Sequence, residues 1–395
     1  MLLEFSVTNF RSIKEKQTLS LLKSKLKDDG LEGNYSTITL STGKTLDVLN
    51  SAVIYGANAS GKSNFLLALQ VMQDIIKQSS GYSQNQNITN IESFLLSESS
   101  IKKPTEFEID FVNIVGVRFV YGFSTTQEKI IDEWLYQYPK GRPQALIDRT
   151  NTYIWGAMGA LKGNKKLWQE STKDNSLFLS TALQLNCHQL LEDVREMDYI
   201  SCFSSDFHQS SIITLISDVA KEMINNKQEV LDFLQGADVG IDDFLFIEDK
   251  LNNTYAIKLI HKVNNNNRLF DLDKESNGTQ KIIALAAFWI KALNNGYCIV
   301  LDELQNSLHP KLVEYLVKMF HNPEINKNGA QLIFVTHETS LLDQDIFRRD
   351  QVWFCEKQDN ATELFSLADF SVRKGSENVE KFYLSGRYGA VPYLR

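Results

Sequence analysis

One octapeptide, Gly56-Ala57-Asn58-Ala59-Ser60-Gly61-Lys62-Ser63, restricts the fold more than any other stretch of the chain. It satisfies G-x-x-x-x-G-K-[ST] at every fixed position. Ser51-Ala52-Val53-Ile54-Tyr55 precedes it and reads as a short buried strand. Phe65, Leu66, Leu69, Val71, Met72 and Ile76 follow at helical intervals. The glycine loop therefore falls between a strand and a helix, where a phosphate cradle sits. Glycines let successive backbone N–H groups converge on one anion. The helix adds unpaired N–H groups and the positive end of its dipole. In such a loop Lys62 reaches the β- and γ-phosphates and the Ser63 hydroxyl oxygen faces Mg²⁺. The expected ligands are ATP and Mg²⁺, seated on residues 56–63 with Asn64 beside them. No base-specific motif separates ATP from GTP.

A second half of the site is legible further along. Tyr297-Cys298-Ile299-Val300-Leu301-Asp302-Glu303 is an apolar strand that ends in two carboxylates. Open α/β sheets bind ligands at that carboxyl edge. Asp302 is expected to hold Mg²⁺, directly or through water. Glu303 is expected to polarise the water that attacks the γ-phosphate. Upstream, Asp273-Lys274-Glu275-Ser276-Asn277-Gly278-Thr279-Gln280 opens a helix running to about Leu293, with Ser276 as N-cap. Ser307-Leu308-His309-Pro310 reads as a tight turn. Gln331-Leu332-Ile333-Phe334-Val335 is another buried strand, ending in Thr336-His337-Glu338. A histidine at that edge, His337, could hydrogen-bond a γ-phosphate or its attacking water.

Elsewhere the pattern is that of a folded protein with an antiparallel layer. Residues 2–8 read as an edge or antiparallel strand, and Lys16 to Leu22 as a second strand. Lys23 to Gly33 and Ser79 to Asn90 read as solvated loops. Glu106 to Val112, Val117 to Ser124 and Lys129 to Tyr138 suggest an antiparallel meander, which Arg149 to Trp155 would extend. Gly156 to Gly163 is glycine-rich but lacks G-K-[ST], and reads as a turn. Residues 175–236 shift to helical periodicity and suggest a helical insertion or arm. Ile241 to Glu248 and Tyr255 to His261 return to strand character, with Asn264 to Asn267 as a turn.

The net charge of −8 disfavours a surface built throughout for nucleic acid. The longest apolar run, Ile282 to Ile290, is too short to span a bilayer. Met1 to Phe5 lacks the basic and apolar regions of a signal peptide. The four cysteines show no C-x-x-C pairing, which suggests a reducing, cytoplasmic setting. Asp343, Asp345, Asp350, Asp359 and Asp369 are scattered, without a metal constellation, and read as surface acids.

The ordered set of phosphate loop, E-S-N-G-T, strand-Asp-Glu, S-L-H-P and T-H resembles the ABC-type ATPases of the RecF/SMC/OLD group. Asn9-Phe10-Arg11-Ser12 resembles that group's N-terminal motif, so Arg11 and Ser12 join the candidate nucleotide-binding residues. The resemblance implies that Glu275 to Thr279 is the signature motif, with Ser276, Asn277 and Gly278 acting on nucleotide held by a second subunit. It makes Asn306 to His309 the D-loop and His337 the switch histidine. No Q-loop glutamine is assigned: the meander offers Gln127 and Gln137, and neither is preferred. Asn277 stands where transporters carry glycine, so transport is not implied. Tyr383 to Pro392 resembles the end of stand-alone anti-phage ATPases of the RloA and abortive-infection L type.

The implied fold is an α/β ABC-ATPase head with a mixed sheet, an antiparallel β layer and a helical insertion. Its expected parts are a first lobe over 1–155, the insertion over 156–240 and a second lobe over 241–395. Val53 to Tyr55, Tyr297 to Leu301 and Leu332 to Val335 should lie at the centre of the sheet. The implied function is slow ATP hydrolysis by a head-to-tail homodimer that switches a separate effector, a nuclease or toxin, in defence against phage. The alternative is a RecF-like repair ATPase gripping DNA directly, with Lys23, Lys25 and Lys27, or Lys162, Lys165 and Lys166, lining a basic groove. No membrane association is expected.

Overall fold

Ser51–Tyr55 is buried at all five positions and lies between two parallel neighbours, Gln331–Val335 and Val352–Gln358. A strand covered on both faces reads as a continuous apolar run, not an alternating one. Its residues still divide by pleat: Ala52 and Ile54 join one core, Val53 and Tyr55 the other. The computed structural model describes residues 1–203, 209–249, 254–264, 266–372 and 378–392.

The full sheet runs Ile200–Phe203, Cys298–Leu301, Gln331–Val335, Ser51–Tyr55, Val352–Gln358 and Ala361–Ser366. All pairings are parallel except the last. The three strands expected at the centre are there. On one face lies the helix Lys62–Gln78, packed beneath a seven-stranded antiparallel sheet, with Phe65 edge-on to Phe5 at 5.4 Å. The other face carries the helices Asn277–Asn295 and Pro310–His321.

The antiparallel sheet contains Leu2–Thr8, Gln17–Ser20, Thr105–Val112, Arg118–Thr125, Ile130–Gln137, Gln144–Thr150 and Ile154–Trp155. The meander and its extension appear as expected. Leu2–Thr8 is not an edge strand, because it is paired on both sides.

Residues 175–236 differ from a purely helical arm. Short helices at Phe178–Gln184 and His188–Asp193 are followed by the strand Ile200–Phe203, which borders the nucleotide sheet. Ile-Ser-Cys-Phe is too short for periodicity to separate strand from helix. Nor do the helices Gln209–Asn225 and Lys227–Gly236 project. Val219, Met223, Val230, Phe233 and Leu234 are buried in the core that holds Asn277–Asn295.

Asp243–Asp249, Thr254–Val263 and Asn266–Asp271 form a separate three-stranded sheet just before the expected signature. Asn266 and Asn267 belong to its last strand, Asn264 is in the turn, and Asn265 lies outside the described residues. The C-terminal stretch folds back on the sheet: Tyr383 and Tyr388 stack on Phe354 at 5.3 and 5.7 Å. Asp350 is not a surface acid. It is buried, pairs with Arg348 at 2.9 Å and accepts the Ser24 hydroxyl at 2.6 Å.

Candidate functional site

The loop 56–63 leaves Tyr55 at the carboxyl edge of the parallel sheet and enters the helix Lys62–Gln78. Gly61 adopts φ 110°, and a Cβ there would fall 2.0 Å from Thr362 Oγ1 and 2.8 Å from Ser12 Oγ. At Gly56 a Cβ would fall 2.2 Å from the Cys355 carbonyl oxygen. Both glycines are thus demanded by close approach. No side chain caps the helix start at Gly61, so its first-turn N–H groups remain available to an anion.

Lys62 is 5% exposed. Its ammonium donates to the carbonyls of Gly56 and Ala57, each at 2.9 Å. Burial lowers its pKa, opposed by Cys355, Asp302 and Glu303. Cation donors held on neutral carbonyls in a desolvated loop are well placed to accept a phosphate, which would compensate the buried charge.

Asp302 stands just past the strand Cys298–Leu301, where its N–H donates to the Phe203 carbonyl at 3.2 Å. Burial raises its carboxyl pKa, while a hydrogen bond from Ser63 and the charge of Lys62 pull it down. Its Oδ1 is buried without a hydrogen-bond partner. An orphaned carboxylate oxygen beside a serine hydroxyl fits one side of a Mg²⁺ shell, the rest coming from phosphates and water. Among the described residues no group of three or more His, Cys, Asp or Glu could hold a metal by itself. A phosphate-bound Mg²⁺ does not require one.

Glu303 sits in the left-handed region at φ 50°, and its Oε2 accepts the Asn306 side-chain amide at 2.5 Å. The turn is tied to the neighbouring strand, the Leu304 N–H donating to the Val335 carbonyl at 3.2 Å. His337 lies two residues beyond that carbonyl and keeps an exposed face. Partial burial and the Lys62 charge lower its pKa, and Glu303 and Asp302 raise it. Lys62, Ser63, Asp302, Glu303 and His337 therefore share one electrostatic neighbourhood at the sheet edge.

Ser12 reaches the loop and Arg11 does not. Ser12 Oγ accepts the Asn64 side-chain amide at 2.8 Å and lies 2.8 Å from Thr362 Oγ1. Thr362 Oγ1 also lies 2.8 Å from the Ser60 carbonyl. Arg11 pairs instead with Glu92 at 3.0 Å. Thr362 is 1% exposed and was not found from sequence, because a lone threonine in an edge strand carries no motif.

The residues expected to form the signature stand apart. Ser276 caps its helix by accepting the Thr279 N–H at 3.1 Å, as expected. Ser276 and Asn277 are exposed, and Gly278 packs against the D-loop, where a Cβ would fall 2.6 Å from the Ser307 carbonyl oxygen. Gln127 and Gln137 are engaged elsewhere, on the Ile91 carbonyl and the Gln144 side chain. The lysines offered for a basic groove are partly committed. Lys23 pairs with Asp47 at 2.8 Å, Lys166 with Glu170 at 3.7 Å, and Lys165 donates to the Met158 carbonyl at 2.7 Å.

The fold resembles that of a solved SMC head. The SMC head bound to the C-terminal winged-helix domain of ScpA matches with a TM-score of 0.52 and 13% identity, over 92% of this chain and 97% of that one. The SMC head from Thermotoga maritima matches at 0.41 with 13% identity, over 92% of this chain and 98% of that one. RecF–ATPrS of the RecFOR pathway matches at 0.39 with 12% identity, over the same shares. No curated protein sequence matches. Fold and nucleotide-site motifs together define an ABC-type ATPase of the RecF/SMC group. Residues 51–152 and 172–343, more than half of the chain, match the family described as "AAA domain, putative AbiEii toxin, Type IV TA system". The chain belongs to that family. No helix among the described residues is long and apolar enough to cross a membrane.

Proposed function

We propose that the chain binds and hydrolyses ATP as a nucleotide-bridged homodimer, and that the resulting change of shape controls a separate effector protein in defence against phage. The observation that carries the reading is Asp302: a half-buried carboxylate at the end of the acidic strand whose Oδ1 is buried without a hydrogen-bond partner, its pKa raised by burial and held down by Ser63 of the phosphate loop and Lys62. That is the arrangement a Mg²⁺-bound triphosphate completes.

In this reading Lys62 and the loop N–H groups would bind the triphosphate, and Ser63 and Asp302 would hold Mg²⁺. The metal supplies neutralisation of phosphate charge. Glu303, oriented by Asn306, takes the proton of the attacking water. His337, whose pKa is lowered, contributes a neutral ring at the γ-phosphate position. Ser276, Asn277 and Gly278 are exposed or half-buried and suit the triphosphate held by a second copy. Loss of the γ-phosphate contacts then releases the pair.

The family's description as an AbiEii-type toxin system supports the defence role. A matched SMC head carries a domain of another protein, ScpA, which supports a partner docked on a head of this fold. Mass measurement of the chain purified with proteins encoded beside its gene would identify the effector.

The test is steady-state phosphate release with Mg²⁺ and ATP. Glu303→Gln is expected to lower turnover roughly 10²–10⁴-fold while preserving ATP-dependent dimers. Lys62→Ala is expected to lose both turnover and tight ATP binding. Parent-like turnover in both variants would sink the proposal.

A further inference from the structure

The helix Asn277–Asn295 is buried almost all round, and one of its buried residues is a lysine. Lys281 is 3% exposed and lies five residues past the Ser276 cap. Its ammonium donates to the carbonyls of Glu303 at 3.3 Å, Leu304 at 3.0 Å and Asn306 at 3.0 Å. All three belong to the turn that follows the acidic strand. Burial pulls the Lys281 pKa down to about 8, against the pull of Glu303. At neutral pH the side chain is still an ammonium, with three N–H donors for three carbonyls.

That turn contains two non-glycine residues in the left-handed region, Glu303 at φ 50° and Ser307 at φ 62°. Such backbone persists only where its surroundings hold it. Lys281 is the hold from the signature side. Asn306 in turn fixes the Glu303 carboxylate at 2.5 Å, and the Ser307 carbonyl abuts Gly278. The exposed signature and the carboxylate that activates water are therefore two ends of one short, fully packed path.

We propose that Lys281 is a positioning residue that couples the signature motif, seated on the partner copy's triphosphate, to the orientation of Glu303 in its own site. The inference rests on the ATP-bridged dimer proposed above. When the signature is engaged, the first turn of the helix is fixed, and Lys281 fixes the Glu303–Asn306 turn with it. Each site then works fastest when the other is occupied. Lysine suits this task better than arginine, because a tetrahedral ammonium points three donors at converging carbonyls whereas a guanidinium is planar.

The experiment measures ATP turnover against ATP concentration for the parent, Lys281→Met and Lys281→Arg, with thermal midpoints taken alongside. Methionine keeps length and burial and removes the donors. Lys281→Met is expected to lower kcat about tenfold or more, the scale of a misoriented catalytic group. KM should stay within about threefold, since ATP contacts are untouched, and a Hill coefficient above 1 in the parent should fall to near 1. Lys281→Arg should restore part of kcat. Where Lys281→Met does not fold, Lys281→Arg carries the test alone, with reduced kcat and a reduced Hill coefficient at unchanged KM.

A parent that hydrolyses ATP beside a folded variant with the same kcat and Hill coefficient overturns the coupling and leaves the ATPase reading intact. A variant that loses thermal stability, kcat and KM together, without rescue by arginine, shows a merely structural lysine and also overturns it. A parent with no ATP turnover overturns the ATPase reading, and the coupling falls with it.

Discussion

The two halves proposed for the nucleotide site are built in opposite ways. The phosphate-loop half is sunk in the protein: Lys62 is 5% exposed, Ser60 3% and Thr362 1%, and Ser12, Asn64 and Thr362 converge on the loop. The signature half is presented outward, with Ser276 and Asn277 exposed and only Gly278 pressed against the D-loop. One half is preorganised within a single chain and needs only ligand. The other keeps Ser276 and Asn277 exposed at the start of their helix, which under the proposed function leaves them open to a second copy. Binding and assembly are thereby separable, and mutations should divide them.

The sharpest division is expected between Lys62→Ala and Asn277→Glu, both placed in a Glu303→Gln background. Lys62→Ala should abolish tight ATP binding and, with it, the dimer. Asn277→Glu puts a carboxylate at the first position of the signature helix, where it favours the helix dipole by about 0.3–1 kcal/mol. It would nonetheless repel the partner's triphosphate. Fold and monomer ATP affinity should be kept, and ATP-dependent dimers lost, as read by sedimentation and by nucleotide titration. Dimers that survive Asn277→Glu with full affinity would break the contrast, because the signature would then not be facing nucleotide.

How much of this was readable in advance follows the same divide. The loop, the Asp302-Glu303 strand end and His337 are motif residues, fixed by chemistry at a set spacing, and the structure gathers them at one sheet edge. Three central strands were legible as continuous apolar runs, but Val352–Gln358, which pairs with Ser51–Tyr55, was not read as a strand. Ile200–Phe203 was missed because four residues give no period, and its role is set by a neighbour about a hundred positions on. Thr362 and Lys281 were missed for another reason. Their work is done by hydrogen bonds to backbone carbonyls of distant segments, and backbone partners leave no trace in side-chain pattern. Asp350 was misread as a surface acid because its partner Arg348 stands two residues away, a spacing that elsewhere marks a solvated charged run.

Acid should loosen the buried half first. His321 closes the helix Pro310–His321 beneath the start of the phosphate-loop strand, 2.8 Å from Ser51 Oγ. Burial, with Lys318 adding to it, lowers its pKa to about 3. The unfolded chain, with an ordinary histidine, takes up that proton first as pH falls below about 6.5. The unfolded state thus binds more protons, and folding stability drops as pH falls from about 6.5 toward 3. At pH 4.5 the loss from this one group is about 2–3 kcal/mol. His321→Gln removes the titration and should flatten that limb of the stability curve, at some cost near neutrality from altered bonding to Ser51 and Gln351. Denaturant midpoints of parent and variant between pH 4.5 and 7.5 decide it; parallel curves would place the acid response elsewhere.

The smallest expected effect tests whether the pinning of the loop matters to ligand at all. Thr362→Val keeps the shape and removes the hydroxyl shared between Ser12 and the Ser60 carbonyl. It leaves that carbonyl buried with one bond fewer, a loss of about 1–1.5 kcal/mol in the neutral hydrogen-bond range. If the hydroxyl holds the loop in its binding shape, most of that loss should appear as a five- to tenfold weaker ATP affinity, about 1–1.4 kcal/mol. If it only supports the fold, the thermal midpoint falls and affinity stays. The backbone bond from Thr362 N–H to the Ser12 carbonyl at 2.7 Å survives the substitution. The edge strand therefore stays docked, and the measurement reports on the hydroxyl alone.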